Sequence, residues 1–281
     1  MKKILVTGAT GQLGSELSDL APNYPQYEWV FADRTKATLD NLELLQSQLK
    51  EITPDIILNC GAYTAVDKAE TEKDLAFKVN HLAVKLIAKY AKENNAKLIH
   101  ISTDYVFDGA SSIALNEEAE TSPINVYGES KLAGEIACLK ENSDSIIIRT
   151  SWVYSKFGNN FVKTMQRLMQ EREVINVVND QIGSPTYAAD LAQAMIDIVE
   201  SLKWVPGIYN YSNEGEISWY EFALSIRELG NYNCKVSGIP SSSYPTPAKR
   251  PEFSLLCKKK IKETYHVEVP EYKESLKKMF I

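Results

Sequence analysis

The chain has 281 residues, 44% apolar and 24% charged, with 13 glycines and 11 prolines. That is the balance of a globular protein of one large α/β unit or two domains, and it excludes collagen-like and low-complexity disordered chains. With 31 Lys and Arg against 37 Asp and Glu the formal charge is −6, so no basic face for nucleic acid is expected, although local donors can still hold a small anion.

The N-terminal run Met1-Lys2-Lys3-Ile4-Leu5-Val6 has the look of a secretory signal, but it stops at Thr7-Gly8, too soon for a signal core. Lys3 to Thr7 reads instead as a first strand. Glu28 to Ala32, Asp55 to Leu58, Lys97 to Ile101 and Ser145 to Arg149 come after it, aliphatic runs that suit strands buried on both faces of a parallel sheet. Helical periods lie between them at Gln12 to Leu20, Leu42 to Glu51, Asp74 to Asn94 and Val126 to Glu141. In the third, Leu75, Val79, Leu82, Leu86 and Tyr90 recur at three- and four-residue spacing and predict its apolar stripe. The alternation predicts an α/β fold, a Rossmann-type doubly wound parallel sheet, with residues 1–150 as the dinucleotide-binding domain.

Beyond residue 150 the texture changes. Turn-rich pieces at 156–160, 179–187 and 241–251 interrupt helices at Phe161 to Gln170, Ala188 to Leu202 and Trp219 to Leu229. Residues 151–281 are expected to form mainly a smaller, interleaved C-terminal substrate lobe, with parts of 175–215 rejoining the first domain. No stretch of 18 apolar residues is present, so no membrane span is expected. The cysteines (Cys60, Cys138, Cys234, Cys257) and histidines (His81, His100, His266) are scattered. Neither a disulfide framework nor a metal site is expected, which points to the reducing cytoplasm.

Three motifs carry chemistry. Gly8-Ala9-Thr10-Gly11-Gln12-Leu13-Gly14 joins the first strand to the first helix, and Asp33 stands 19 residues beyond Gly14 at the end of the second strand. Glycines there let backbone N–H groups and a helix N-terminus approach a pyrophosphate. An acid such as Asp33 suits the ribose 2′-hydroxyl of NAD, whereas the adjacent Arg34 suits the 2′-phosphate of NADP. The second motif is Tyr127-Gly128-Glu129-Ser130-Lys131, the one Tyr-x-x-x-Lys in the chain. On a helix its ammonium would lie beside its phenol and lower the tyrosine pKa toward working pH, as a general acid needs. The third is Ser102-Thr103-Asp104-Tyr105 at the end of the fourth strand, where either Ser102 or Thr103 can offer a hydroxyl to a substrate carbonyl.

Together these motifs resemble the extended short-chain dehydrogenase/reductase family, whose members act on nucleotide sugars, and within it the reductases of dTDP-linked 4-keto-6-deoxy sugars. The likeness continues through Ala62 to Glu70, Ser102 to Phe107, Asn125 to Glu135, Arg149 to Tyr154, Asn179 to Thr186 and Pro245 to Pro251. It implies a catalytic set of Thr103, Tyr127 and Lys131. NADPH, with NADH also accepted, would lie along Gly8, Thr10, Gly11, Gln12, Leu13, Gly14, Asp33, Arg34, Asp40, Ala62, Tyr63, Thr64, Tyr127 and Lys131. Thr103, Asp104, Tyr105 and Trp152 would meet the sugar, and Arg250, with Lys249, the diphosphate. The product would feed cell-surface polysaccharide synthesis.

Two departures matter. Dehydratases of the superfamily carry Thr-Asp-Glu where this chain has Thr103-Asp104-Tyr105, so water elimination is disfavoured. Some members dimerise around magnesium held by glutamates. Glu16 matches one ligand but Ala189 stands near another, so no metal is expected, and monomer and homodimer both stay open. Other readings are a sister 4-ketoreductase, a nucleotide-sugar epimerase, and an NADP-binding regulatory subunit resembling the methionine adenosyltransferase β subunit.

Overall fold

The computed structural model describes residues 1–280. Five strands of the first half, β1 (Lys2–Thr7), β2 (Tyr27–Ala32), β3 (Ile56–Asn59), β4 (Lys97–Thr103) and β5 (Ile146–Thr150), are joined by a sixth, Gly207–Asn210. All pair in parallel, in the order Gly207–Asn210, β5, β4, β3, β1, β2. The predicted doubly wound sheet is therefore observed. The sixth strand escaped the sequence reading because Gly-Ile-Tyr-Asn is short and carries two residues that strands disfavour.

Alternation along the strands sends side chains to two apolar layers. Ile4, Val6, Leu58, Ile99 and Ile148 pack under α1 (Gln12–Leu20) and the helix Ala188–Glu200. Leu5, Ile57, Leu98 and Ile147 pack under α2 (Leu42–Ile52) and the helices Ala83–Glu93 and Val126–Glu141. Each such fully buried side chain contributes about 1.5–3 kcal/mol. Strand order reverses between β1 and β3, which opens a crevice at the carboxyl ends of these strands.

The helix predicted from Asp74 to Asn94 differs in its register. Lys73–Phe77 leads into a π-turn, Lys78–Leu82, before Ala83–Glu93. Of the predicted stripe Val79 and Tyr90 are buried, with Ala83, Val84, Ile87, Ala88 and Ala91; the wider turn leaves Leu82 exposed, and Leu75, ahead of the turn, is exposed as well. Small alanines on that face let the helix approach Val126–Glu141 closely. π-Turns concentrate at functional sites, and this one buries Asn80.

The smaller lobe surrounds a separate core. Val174–Val178 pairs in parallel with Lys235–Ile239, and the helices Phe161–Glu171 and Trp219–Leu229 pack about Tyr154, Met165, Phe222 and Ile226. Trp219–Leu229 begins with a capping box, Ser218 and Glu221. Among the described residues no helix is long and apolar enough to cross a membrane, and the four cysteines are free.

One ion pair locks the helix that carries the Tyr-x-x-x-Lys motif to the sheet. Arg149 on β5 donates through Nε and Nη2 to Glu135, at 3.0 Å and 2.7 Å, and both side chains are at most 3% exposed. Removing one partner strands the other charge in the core. Glu135→Ala is therefore expected to lower unfolding free energy by about 3–5 kcal/mol in urea melts; a loss below about 1 kcal/mol, the size of an exposed pair, would deny the pair this role.

Candidate active site

A cleft of about 880 Å³ lies at the carboxyl ends of β1, β3 and β4. Gly8, Thr10, Gly11, Gln12, Leu13, Asp33, Arg34, Asp40, Ala62, Tyr63, Thr64, Thr103, Asp104, Tyr105, Tyr127, Lys131 and Trp152 all line it. Residues from widely separated parts of the chain thus converge on one cavity.

At one end the glycine loop forms a cradle. Gly8 has φ +65°, in the left-handed region, and a Cβ there would sit 2.6 Å from Gly61 Cα. Gly11 is the N-cap of α1 and its turn has no side-chain cap, so the first N–H groups of the helix face the cleft unsatisfied. That is the donor set of a pyrophosphate site, and the residues present fit a dinucleotide. Gly14 lies behind the cradle, where a Cβ would meet Gly8 O at 2.4 Å; its service is close helix-to-loop packing. Gln12 turns away to the other lobe, donating to Val153 O at 3.3 Å and accepting from Asn160 Nδ2 at 2.9 Å.

The acid and base after β2 divide. Asp33 Oδ1 accepts from Thr35 N at 2.9 Å and Thr35 Oγ1 at 2.6 Å, which hold its carboxyl below the ordinary range. It caps its own loop, and Arg34 stands exposed at the cleft rim.

The opposite end holds the reactive groups. Thr103, the last residue of β4, accepts from Tyr105 N at 3.2 Å and donates to Asp104 Oδ1 at 3.1 Å. Both candidate hydroxyls line the cleft; that of Thr103 is held by Asp104 and Tyr105, while Ser102 Oγ has no partner among the described residues. The first turn of Val126–Glu141 carries Tyr127, held edge-on against Tyr105 at 5.6 Å. Gly128 permits that approach, because a Cβ there would lie 2.2 Å from Tyr105 O. Asn125 caps the helix through Gly128 N at 2.8 Å.

The electrostatics differ from the sequence expectation. Burial pushes the Tyr127 phenol up to about 12, against a pull downward from Thr103 and with a further push from Asp104. The Lys131 ammonium does not lower it. It is itself 2% exposed, donates to Ile101 O at 2.6 Å, and is brought down to about 8 by burial, opposed by Glu135, Cys138 and Cys60. In this dry site desolvation sets both shifts, because burial penalises the charged form of each group. Burial likewise raises Asp104 to about 6, against Ser254 and Thr103.

Arg250 stands apart from the cleft lining. Its guanidinium is bidentate on Asp67, at 3.0 Å and 2.9 Å, and donates to Ala248 O. Lys249 contributes its carbonyl, which accepts from Asn125 Nδ2 at 2.8 Å. The 245–251 loop is thereby tied to the segment after β3. Glu16 is buried and accepts from Ser155 Oγ at 2.5 Å.

The sequence reading missed the supports. Asn80, in the π-turn, accepts from Tyr63 N at 2.8 Å and donates to Tyr63 O and Ser130 Oγ, both at 3.0 Å. An asparagine inside an apolar helical stripe was the available signal. Across the sheet, Gly61 N donates to Thr7 Oγ1, Thr7 to Asn59 Oδ1, and Asn59 Nδ2 faces His100 Nδ1 at 2.9 Å. His100 is thus a buried structural partner whose pKa burial drives well below the usual value. Trp219, from the smaller lobe, also lines the cleft.

Comparison with known proteins agrees along the whole chain. A family model, RmlD substrate binding domain, matches residues 1–281. The chain is 39% identical to the dTDP-4-dehydrorhamnose reductase of Aggregatibacter actinomycetemcomitans over 99% of this chain and 98% of that one. It is 40% identical to the enzyme of that name from Escherichia coli K12, covering 98% and 96%. The crystal structure of dTDP-4-dehydrorhamnose reductase from Bacillus anthracis in complex with NADP superposes with a TM-score of 0.94, at 40% identity over 100% of this chain and 99% of that one.

Proposed function

The chain belongs to the dTDP-4-dehydrorhamnose reductase family, and from that premise we propose that it reduces the 4-keto group of dTDP-4-dehydro-L-rhamnose with NADPH to give dTDP-L-rhamnose. The observation that carries this reading is the meeting in one cleft of the glycine cradle with Thr103, Tyr127 and Lys131.

Bound NADPH supplies the hydride. The cradle of Gly8, Thr10, Gly11 and the open first turn of α1 holds its pyrophosphate, and Ala62, Tyr63 and Thr64 line the wall beside it. As negative charge develops on the C4 oxygen of the sugar, Thr103 donates to it and Tyr127 passes over its phenolic proton. That phenol, pushed up to about 12, is protonated at neutral pH as an ordinary phenol is, the state a proton donor needs. Lys131 brings a positive charge to the floor of the same site, where low dielectric strengthens its effect on the forming oxyanion. Asp104, Tyr105 and Trp152 line the same cleft and would meet the sugar there. Arg250 serves as a clamp through Asp67, and the diphosphate falls to other donors or draws Arg250 across.

The smaller lobe, drawn mainly from 151–281 and built on the core of Tyr154, Phe222 and Tyr272, takes the nucleotide sugar, while Gly207–Asn210 and Ala188–Glu200 join the dinucleotide domain. The enzyme acts in the cytoplasm on a small-molecule substrate, as monomer or homodimer.

Stoichiometric loss of reduced-nicotinamide absorbance on adding dTDP-4-dehydro-L-rhamnose tests the proposal; NADPH binding without oxidation would overturn it. With Asp33 committed to its own loop and Arg34 at the rim, NADPH is the preferred form. Arg34→Ala is expected to cut the NADPH-to-NADH ratio of kcat/KM about tenfold, the loss of one charge-assisted contact.

A further inference from the structure

Trp152 holds an unusual position. Its φ is +47°, a backbone region that a bulky side chain occupies only when its surroundings impose it. It comes directly after Ser151, whose hydroxyl donates to Ser184 O at 2.7 Å, and its own carbonyl accepts from Thr186 N at 3.3 Å. The indole is fixed on two sides. It stacks on Trp219 with ring centroids 3.7 Å apart and planes 15° from parallel. Against its benzo ring lies Gly183, where a Cβ would come within 3.0 Å of Trp152 Cζ2 and 3.1 Å of Cε2.

Trp219 is in turn braced. It is the first residue of its helix, behind the capping box, and packs on Phe161 at 4.6 Å. Both indoles are half-buried and both line the cleft. The smaller lobe therefore meets the site with a rigid aromatic pair.

We propose that Trp219 and Gly183 are positioning residues for the sugar: together they lock the Trp152 indole as a fixed apolar wall, so that its strained backbone is retained for substrate placement. The proposal rests on the reductase reading of the same cleft. A wall held in advance spares the sugar the ordering of a large side chain, and the benefit falls on sugar affinity rather than on the dinucleotide.

The test uses the full chain with three substitutions. Trp219→Leu removes the stack, Trp219→Phe keeps an aromatic face, and Gly183→Ala pushes a methyl group at the indole. Trp219→Leu and Gly183→Ala are expected to raise KM for the 4-keto sugar nucleotide about tenfold, the scale of a lost aromatic pair, with KM for NADPH unmoved. Trp219→Phe should recover most of the loss. Circular dichroism reads the stack itself: the exciton couplet of two stacked indoles should be present in the wild type and absent in both Trp219 variants. Folded Trp219→Leu with unchanged sugar KM overturns this inference alone, as does an equal rise in the KM of sugar and NADPH. A wild type that reduces no 4-keto sugar overturns the reductase reading and this inference with it.

Discussion

Tyr127→Phe is expected to lower kcat about a thousandfold while leaving NADPH affinity and thermal stability close to wild type. The substitution removes one oxygen. The ring that packs edge-on against Tyr105 stays, as do the Asn125 cap and the Gly128 contact that set the start of the helix. What goes is the proton for the C4 oxygen, and a positioned acid is worth about 10²–10⁴ in rate. The residual rate should come from Thr103, the Lys131 charge and binding, which still stabilise the developing oxyanion when the proton donor is gone. Stopped-flow decay of reduced-nicotinamide absorbance with saturating sugar nucleotide separates this from slow product release. A variant within about threefold of wild type would take the acid role from Tyr127. Attention would then turn to Asp104, another buried group of the site, which burial raises to about 6, near enough to neutral pH for proton transfer.

The layered sheet was legible because β1, β3, β4 and β5 are dense aliphatic runs, which have few alternatives to burial on both faces. The exception is β2, Tyr-Glu-Trp-Val-Phe-Ala at the sheet edge, which is mostly half-buried, against the expectation of burial on both faces. The glycine loop and the Tyr-x-x-x-Lys pair were legible for a different reason: their chemistry demands residue types at short, fixed spacings. Contacts between distant segments left no such trace. Nothing near Asp67 says that Arg250, 183 positions away, will hold it. Nothing near Trp152 announces Trp219. The π-turn at Lys78–Leu82 was hidden because a one-residue widening shifts the apolar stripe without breaking the helical composition. The pKa of Tyr127 was misjudged on the same account. Spacing along a helix reveals that Lys131 is a neighbour, but how dry the site is depends on the whole fold, and dryness decides the sign.

Lys131→Met is expected to abolish useful turnover and at the same time to make the protein more stable at neutral pH. A lysine in the unfolded chain keeps its proton to about pH 10.4, whereas in the fold Lys131 releases it at about 8, chiefly through burial. Below about pH 8 both states are charged, and the full penalty of burying the ammonium weighs on the fold, on the order of 3 kcal/mol. Between about pH 8 and 10.4 the unfolded chain binds more protons than the folded one, so wild-type stability rises with pH, and above that range the penalty is gone. Methionine fills the same space without charge. Allowing about 1 kcal/mol for the lost bond to Ile101 O, the variant should gain about 1–3 kcal/mol at pH 7, and the gain should fade by about pH 10. Urea melts at the two pH values measure both. Turnover should drop at least about a hundredfold and NADPH affinity about tenfold, because a cation on the floor of the cleft is removed. In the wild type, kcat/KM should decline as pH rises through about 8, and Lys131→Met should lose that limb. A methionine variant less stable at pH 7 would mean that Glu135 stabilises the ammonium by more than burial costs it; a gain in stability joined to loss of rate would identify Lys131 as a residue kept for chemistry at the expense of the fold.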